Sequence, residues 1–189
     1  PTRRSSDLIR SRYLHTTLLA LGLSTSCLVQ SAAPNPYTFT KNNNASNSNA
    51  TELKLLQNHF QQQRKQAGLS SKSIRVGDVV WSYNEGGSHS KPTILLIHGL
   101  AGTRDNWNRV AQFLTPHYHV IIPDLPNSGD TKTPSNFDNS VPNVTSQLRQ
   151  FIEAIDCEEN LHVAGHSLGG SIATLYASQY PFDTQSLFL

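Results

Sequence analysis

The chain has 189 residues, enough for one domain with a real core or for part of a larger one. Its 37% apolar and 15% charged residues describe a globular chain diluted by polar sequence. Arg3, Arg4, Arg10 and Arg12 against Asp7 leave +3 in the first twelve residues and about −1 elsewhere, so no basic patch remains and nucleic acid is excluded as an expected partner.

Residues 1–8, PTRRSSDL, match the in-frame translation of a sequencing-library adapter (CCT ACA CGA CGC TCT TCC GAT CT), and the chain contains no Met. They are expected to be an artefact rather than fold. Residues 9–33 place two arginines before an apolar run, Leu14 to Leu23, with small residues after it. That order describes a bacterial export signal, and the run is too short to span a bilayer as a helix. Leu23-Ser24-Thr25-Ser26-Cys27 resembles a lipobox, which would make Cys27 a lipid attachment point and tether the protein to a membrane; Ser31-Ala32-Ala33 offers ordinary cleavage instead. Either route places the mature protein outside the cytoplasm, in the periplasm, on the outer membrane or secreted. With Cys157 as the other cysteine, no disulfide framework is expected.

Residues 34–50 are rich in Asn, Ser, Ala and Pro and read as a linker that cannot bury enough apolar surface to offset its ordering entropy. The domain is expected over residues 51–189. Asn49 and Glu52 read as a capping box, with Leu53, Leu56 and Phe60 on one face of a helix that ends at Gly68. Lys72–Val76 and Val79–Asn84 alternate around Gly77-Asp78, a hairpin signal.

The pattern then changes. TILLI (93–97), HVIIPD (119–124) and residues 161–164 are short apolar runs, the mark of strands buried on both faces. Helices are expected over 105–114, from Pro142 through Ile155, and over 168–178, with a further strand opening at SLFL (186–189). Strands alternating with helices imply an α/β fold with a mostly parallel sheet.

Gly165-His166-Ser167-Leu168-Gly169 is a G-x-S-x-G joining a buried strand to a helix. Ser167 would take strained angles that lift its hydroxyl above the sheet edge, and Gly at 165 and 169 would relieve crowding in the turn. Gly170 would add room for the helix to pack. His166 is expected to pack against neighbouring strands. Ile97-His98-Gly99-Leu100-Ala101-Gly102 follows the first buried strand; Gly99 and Gly102 would let the loop present the Leu100 amide, while His98 would fix the loop. Leu100 and Leu168 are then two backbone donors for a developing oxyanion. Asp124 and Asp130 read as turn caps, and Trp107 and Phe113 as helix-to-sheet packing. No His/Cys/Asp cluster has metal-ligand spacing and no phosphate-cradling Gly motif appears, so neither metal nor cofactor is expected.

HGLAGTRDNW, VIIPDLPNSGDT and VAGHSLGGSIATLYASQYP together resemble the α/β-hydrolase superfamily, and within it the lipases and esterases of Gram-negative bacteria. The resemblance implies ester hydrolysis through an acyl-enzyme by a Ser-acid-His triad in that chain order, acting on a small-molecule or lipid ester. Asn127-Ser128 departs from the family's pattern and touches the pocket rather than the reaction. All eight histidines precede Ser167, and Asp183 is the one later carboxylate, placed after a helix that runs away from the nucleophile. The resemblance therefore implies a partial α/β-hydrolase fold, with acid and His beyond Leu189 and these residues inactive alone. Other enzymes on this scaffold (perhydrolase, acyltransferase, carbon–carbon hydrolase) and a non-catalytic binding module are the alternatives.

Overall fold

The computed structural model describes residues 45–189, with side chains from residue 50. The expectations for residues 1–8, for the export signal with Cys27 and for the linker up to residue 44 lie outside the described residues. Helix α1 spans Ala45–Gln66. It starts before the expected cap, so Asn49 lies within the helix: a favourable stretch further on carries the helix back through Ser and Asn, whose low propensity is a weak constraint. Among the described residues no helix is long and apolar enough to cross a membrane.

The elements then follow as β1 (Leu69–Val76), β2 (Val79–Gly86), β3 (Thr93–Ile97), a 3-10 turn (Arg104–Trp107), α2 (Asn108–Leu114), β4 (His119–Pro123), α3 (Val141–Ala154), β5 (Leu161–Gly165), α4 (Leu168–Gln179) and β6 (Thr184–Phe188). They form one six-stranded sheet ordered β1-β2-β4-β3-β5-β6. The hairpin β1–β2 and the pair β2–β4 are antiparallel; β4, β3, β5 and β6 run parallel. This mostly parallel sheet with its helices is the expected α/β architecture.

Alternation inside β3 shows why the parallel strands read as continuous apolar runs. Leu95 and Ile97 join Ile121, Val163 and the α3 and α4 residues Leu148, Phe151, Ile152 and Ile172 on one face. Ile94 and Leu96 join Val120, Ile122, Ala164 and Ala111 of α2 on the other. Both faces are covered, so successive positions through the middle of β3, Ile94 to Ile97, are all apolar. Phe151 stacks on Trp81 of β2 with ring centroids 4.8 Å apart and meets Tyr83 edge-on at 5.1 Å, which fastens the hairpin under α3.

The expected helix over 105–114 divides in two. Thr103 caps a tight turn in which its backbone N–H donates to Asn106 Oδ1 at 2.7 Å, and α2 begins only after Trp107. Trp107 packs on the α2 face of the sheet as expected, whereas Phe113 is exposed. Ala111 and Leu114 take the sheet-facing side of α2, and Phe113, two residues from Ala111, falls on the opposite side.

Candidate active site

Parallel strands end together, so the loops after β3, β4 and β5 share one edge of the sheet. Register puts Ile97 opposite Gly165, and the His166 N–H donates to the Ile97 carbonyl at 3.1 Å. The chain then turns at once into α4. Ser167 takes φ 56° and ψ −121°, a left-handed conformation for a residue with a Cβ, and its side chain is exposed. Such a backbone costs about 1–3 kcal/mol and persists only where its surroundings over-determine it.

They do. A Cβ on Gly165 would lie 2.1 Å from the Gly169 carbonyl oxygen, and one on Gly169 would lie 2.3 Å from the Ile97 carbonyl oxygen. Backbone meets backbone at both positions. Gly170 differs from expectation: a Cβ there meets nothing closer than 3.4 Å, because the helix has already cleared the strand. His166 also departs from the sequence reading, since it is exposed at the edge of the sheet rather than packed among strands. The sharp turn throws its side chain outward beside the β3 loop, with Nδ1 3.2 Å from where a Gly99 Cβ would stand.

The loop after β3 is held against this turn. A Cβ on Gly99 would fall 3.1 Å from Ser167 Cβ and 3.1 Å from the His166 carbonyl oxygen, a tight contact that would push the loop and the turn apart by a few tenths of an ångström. His98 is buried and spans two loops. The Leu125 N–H donates to His98 Nε2 at 3.0 Å, so the ring hydrogen sits on Nδ1, which donates to the Gly99 carbonyl at 2.8 Å. The Gly102 N–H donates to the same carbonyl at 3.0 Å.

Two carbonyls, each held by two donors, aim two amides. A trans peptide directs its C=O and its N–H to opposite sides. With the Gly99 carbonyl held by His98 and Gly102, the Leu100 N–H must point the other way. The Ser167 carbonyl accepts from the Gly170 and Ser171 amides at 2.8 and 3.2 Å, which directs the Leu168 N–H outward from the start of α4. Neither the Leu100 nor the Leu168 N–H has an acceptor among the described residues. Both residues line a cavity of about 280 Å³ with apolar walls from Leu125, Val141, Val144 and Ile172 and a polar rim of Asn127, Ser128 and Asn139.

The Asp124 reading as a turn cap understates it. Asp124 is fully buried and accepts from the Arg104 N–H at 2.7 Å, the Asp130 N–H at 2.9 Å and the Arg104 guanidinium. Asp130 meets the same guanidinium at 2.5 Å, from an exposed position. Burial works against the Arg104 charge, but Asp124, Asp130 and Asp105 outweigh it and hold its pKa above the ordinary value. This clasp joins the loop after β4 to the turn that closes the Leu100 loop. Arg104 is missing from the sequence reading, because its partners Asp124 and Asp130 lie 20 and 26 residues further along the chain.

Strand pairing brings together one group of potential ligand atoms that has no metal-ligand spacing in the sequence. Glu85, His89 and His119 bring carboxylate and imidazole atoms within 4.8 Å of one another. They come from the end of β2, the following loop and the start of β4, and sequence spacing cannot show a meeting that strand pairing creates.

Comparison with known proteins agrees with this geometry. The chain is 36% identical over 143 residues to Lipase 1 of Psychrobacter immobilis, covering 75% of this chain and 44% of the relative. It is 34% identical to Lipase 3 of Moraxella sp. (strain TA144), covering 75% and 45%. The crystal structure of lip1 from Acinetobacter baumannii AYE superposes with a TM-score of 0.69 at 65% identity, over 70% of this chain and 44% of that one. A structure described as a membrane phospholipase A superposes with the same TM-score at 41% identity, over 71% and 43%. The chain thus spans somewhat under half the length of the relatives it matches. A family profile described as alpha/beta hydrolase fold matches residues 92–188, from the loop before β3 to the last strand. Since that match takes in the strained Ser167 turn and every strand that supports it, the chain belongs to the α/β-hydrolase family, with lipases among its relatives.

Proposed function

We propose that this chain carries the nucleophile and oxyanion site of a serine carboxylic ester hydrolase of lipase type, working through an acyl-enzyme. The observation that carries the reading is the pair of outward-pointing, unengaged amides of Leu100 and Leu168 beside the strained, exposed Ser167. Ser167 Oγ attacks the ester carbonyl and gives up its proton to a histidine; the carbonyl oxygen gathers charge between the two amides; the alcohol leaves, and water then releases the acid. One such donor is worth about 2.7–4 kcal/mol of transition-state stabilisation, which explains why both carbonyls behind the amides are so firmly held. The positive end of α4 adds to the same field.

The histidine and acid are proposed to lie beyond Leu189, in the part of the relatives that this chain does not span. Residues 1–189 alone would then not turn over ester. The names of the relatives and the apolar cavity support a lipid ester as substrate, with the acyl chain against Leu125, Val144 and Ile172. Export, with a lipid tether at Cys27, rests on the order of residues 9–33; labelling with radioactive palmitate, lost on Cys27→Ser, tests the tether.

The decisive experiment extends the chain to the length of its relatives and compares it with Ser167→Ala. Fluorophosphonate labelling and nitrophenyl ester hydrolysis should both disappear in the variant, with the circular dichroism spectrum unchanged. Unaltered turnover would refute the assignment.

A further inference from the structure

We propose that Glu85, His89 and His119 form a zinc site that clasps the loop after β2 to the start of β4, at the end of the sheet opposite Ser167. Its three donor atoms converge from three separate segments. Glu85 Oε1 lies 2.7 Å from His119 Nε2 and 3.2 Å from His89 Nε2, and the two imidazole rings are 4.1 Å apart and tilted by 43°. Ligands about 2.0–2.2 Å from a tetrahedral zinc stand roughly 3.3 Å from one another, so the cluster needs only small adjustment to take the ion.

The surroundings prepare two of the three ligands. Lys72 Nζ occupies the other carboxylate oxygen, Glu85 Oε2, at 2.5 Å, and leaves Oε1 as a single directed donor. Thr93 Oγ1 lies 3.4 Å from His119 Nδ1 and can accept its hydrogen. Cys157 Sγ, 3.9 Å from that nitrogen, is committed to the Ile155 carbonyl at 3.3 Å. The 2.7 Å contact of His119 Nε2 with Glu85 Oε1 is a hydrogen bond when Nε2 carries the ring hydrogen; zinc would take the place of that hydrogen, with Nδ1 then carrying it toward Thr93 Oγ1. A partner on the far ring nitrogen is the usual support of a metal-bound imidazole.

Glu85 and His119 are buried, while the His89 side chain is 74% exposed, which supplies both a path for the ion and room for a water as fourth ligand. Two nitrogens and one oxygen favour zinc over calcium or magnesium, which take oxygen ligands. Thr93 opens β3 and Ile97 closes it beside the Ser167 turn, a separation of about 13 Å at 3.3 Å per residue, so the ion is a staple for the fold and not a reactant.

The test is titration of the full metal-free chain with zinc chloride by calorimetry, alongside calcium and magnesium chloride and the variants His89→Ala and His117→Ala. His89 is exposed, so its loss should leave the fold intact, which circular dichroism checks. One zinc per chain is expected, with no saturable calcium or magnesium binding. Affinity should fall at least about tenfold in His89→Ala and stay unchanged in His117→Ala, which removes an exposed histidine outside the cluster. Zinc should also raise the melting temperature of the native chain and not that of His89→Ala. Absence of saturable zinc uptake, or equal affinity in His89→Ala, would overturn the proposal and leave the three residues as a proton-linked pair with a neighbour.

Discussion

Helices α3 and α1 display the same kind of sequence signal and meet different fates. In α3, Leu148, Phe151 and Ile152 are fully buried, and Phe151 reaches across to Trp81 and Tyr83 of β2. In α1, Leu53, Leu55 and Leu56 remain more than half exposed. What holds α1 is its last turn, where the Arg64 guanidinium donates to both Asp105 oxygens at 2.7 and 3.0 Å. Just beyond it, Ala67 is buried and its carbonyl accepts from Thr115 Oγ1 at 2.9 Å. Apolar periodicity therefore states that a helix can form and which side would be buried. It does not state what covers that side.

The contrast can be attacked most strongly through Phe151. Replacing it with Ala should cost about 3–5 kcal/mol in urea denaturation, because the cavity would open between α3 and the hairpin where neither can collapse. A loss below 1 kcal/mol would mean that α3 is no better fastened than α1.

Gly169→Ala comes next. Its new Cβ would meet the carbonyl oxygens of Ile97 and His98 at 2.3 and 2.5 Å, and overpacking against backbone costs about 1–3 kcal/mol or more. Fluorophosphonate labelling of the extended enzyme should fall with it, since the turn that lifts Ser167 must shift. Gly170→Ala is the matched control; it meets no close atom and should be neutral or stabilising by up to about 1 kcal/mol through helix propensity. If both variants behaved alike, close approach would not be what the elbow requires of its glycines.

The smallest effect belongs to α1. Leu53→Ala should change stability by no more than about 0.5 kcal/mol, as an exposed substitution that gives up no buried contact does. A cost near that of Phe151→Ala would show that something covers this face in solution.

Legibility in the sequence follows the same division. The buried strands were readable because burial on both faces favours a run of consecutive apolar residues, as in the ILLI of residues 94–97. The hairpin was readable from Gly77-Asp78, but its strands run on to Leu69 and Gly86, since backbone pairing continues through Ser and Glu wherever a partner strand is available. The role of His98 as a fixed bridge was legible in outline, while its partner Leu125 lies 27 residues away and was not. Nothing in the spacing of Arg104 and Asp124 announced a buried clasp.

By itself, then, the sequence determined the features that arise within one or two turns of chain: apolar runs, helix faces, and a serine flanked by glycines where backbone crowding admits no side chain. The tertiary structure alone decided which distant segments meet: Phe151 with Trp81, Arg104 with Asp124, Glu85 with His89 and His119. The physical reason is range. Local sterics and periodicity act along the chain, whereas ion pairs, ring stacking and ligand clusters depend on distances that only the pairing order of the strands sets.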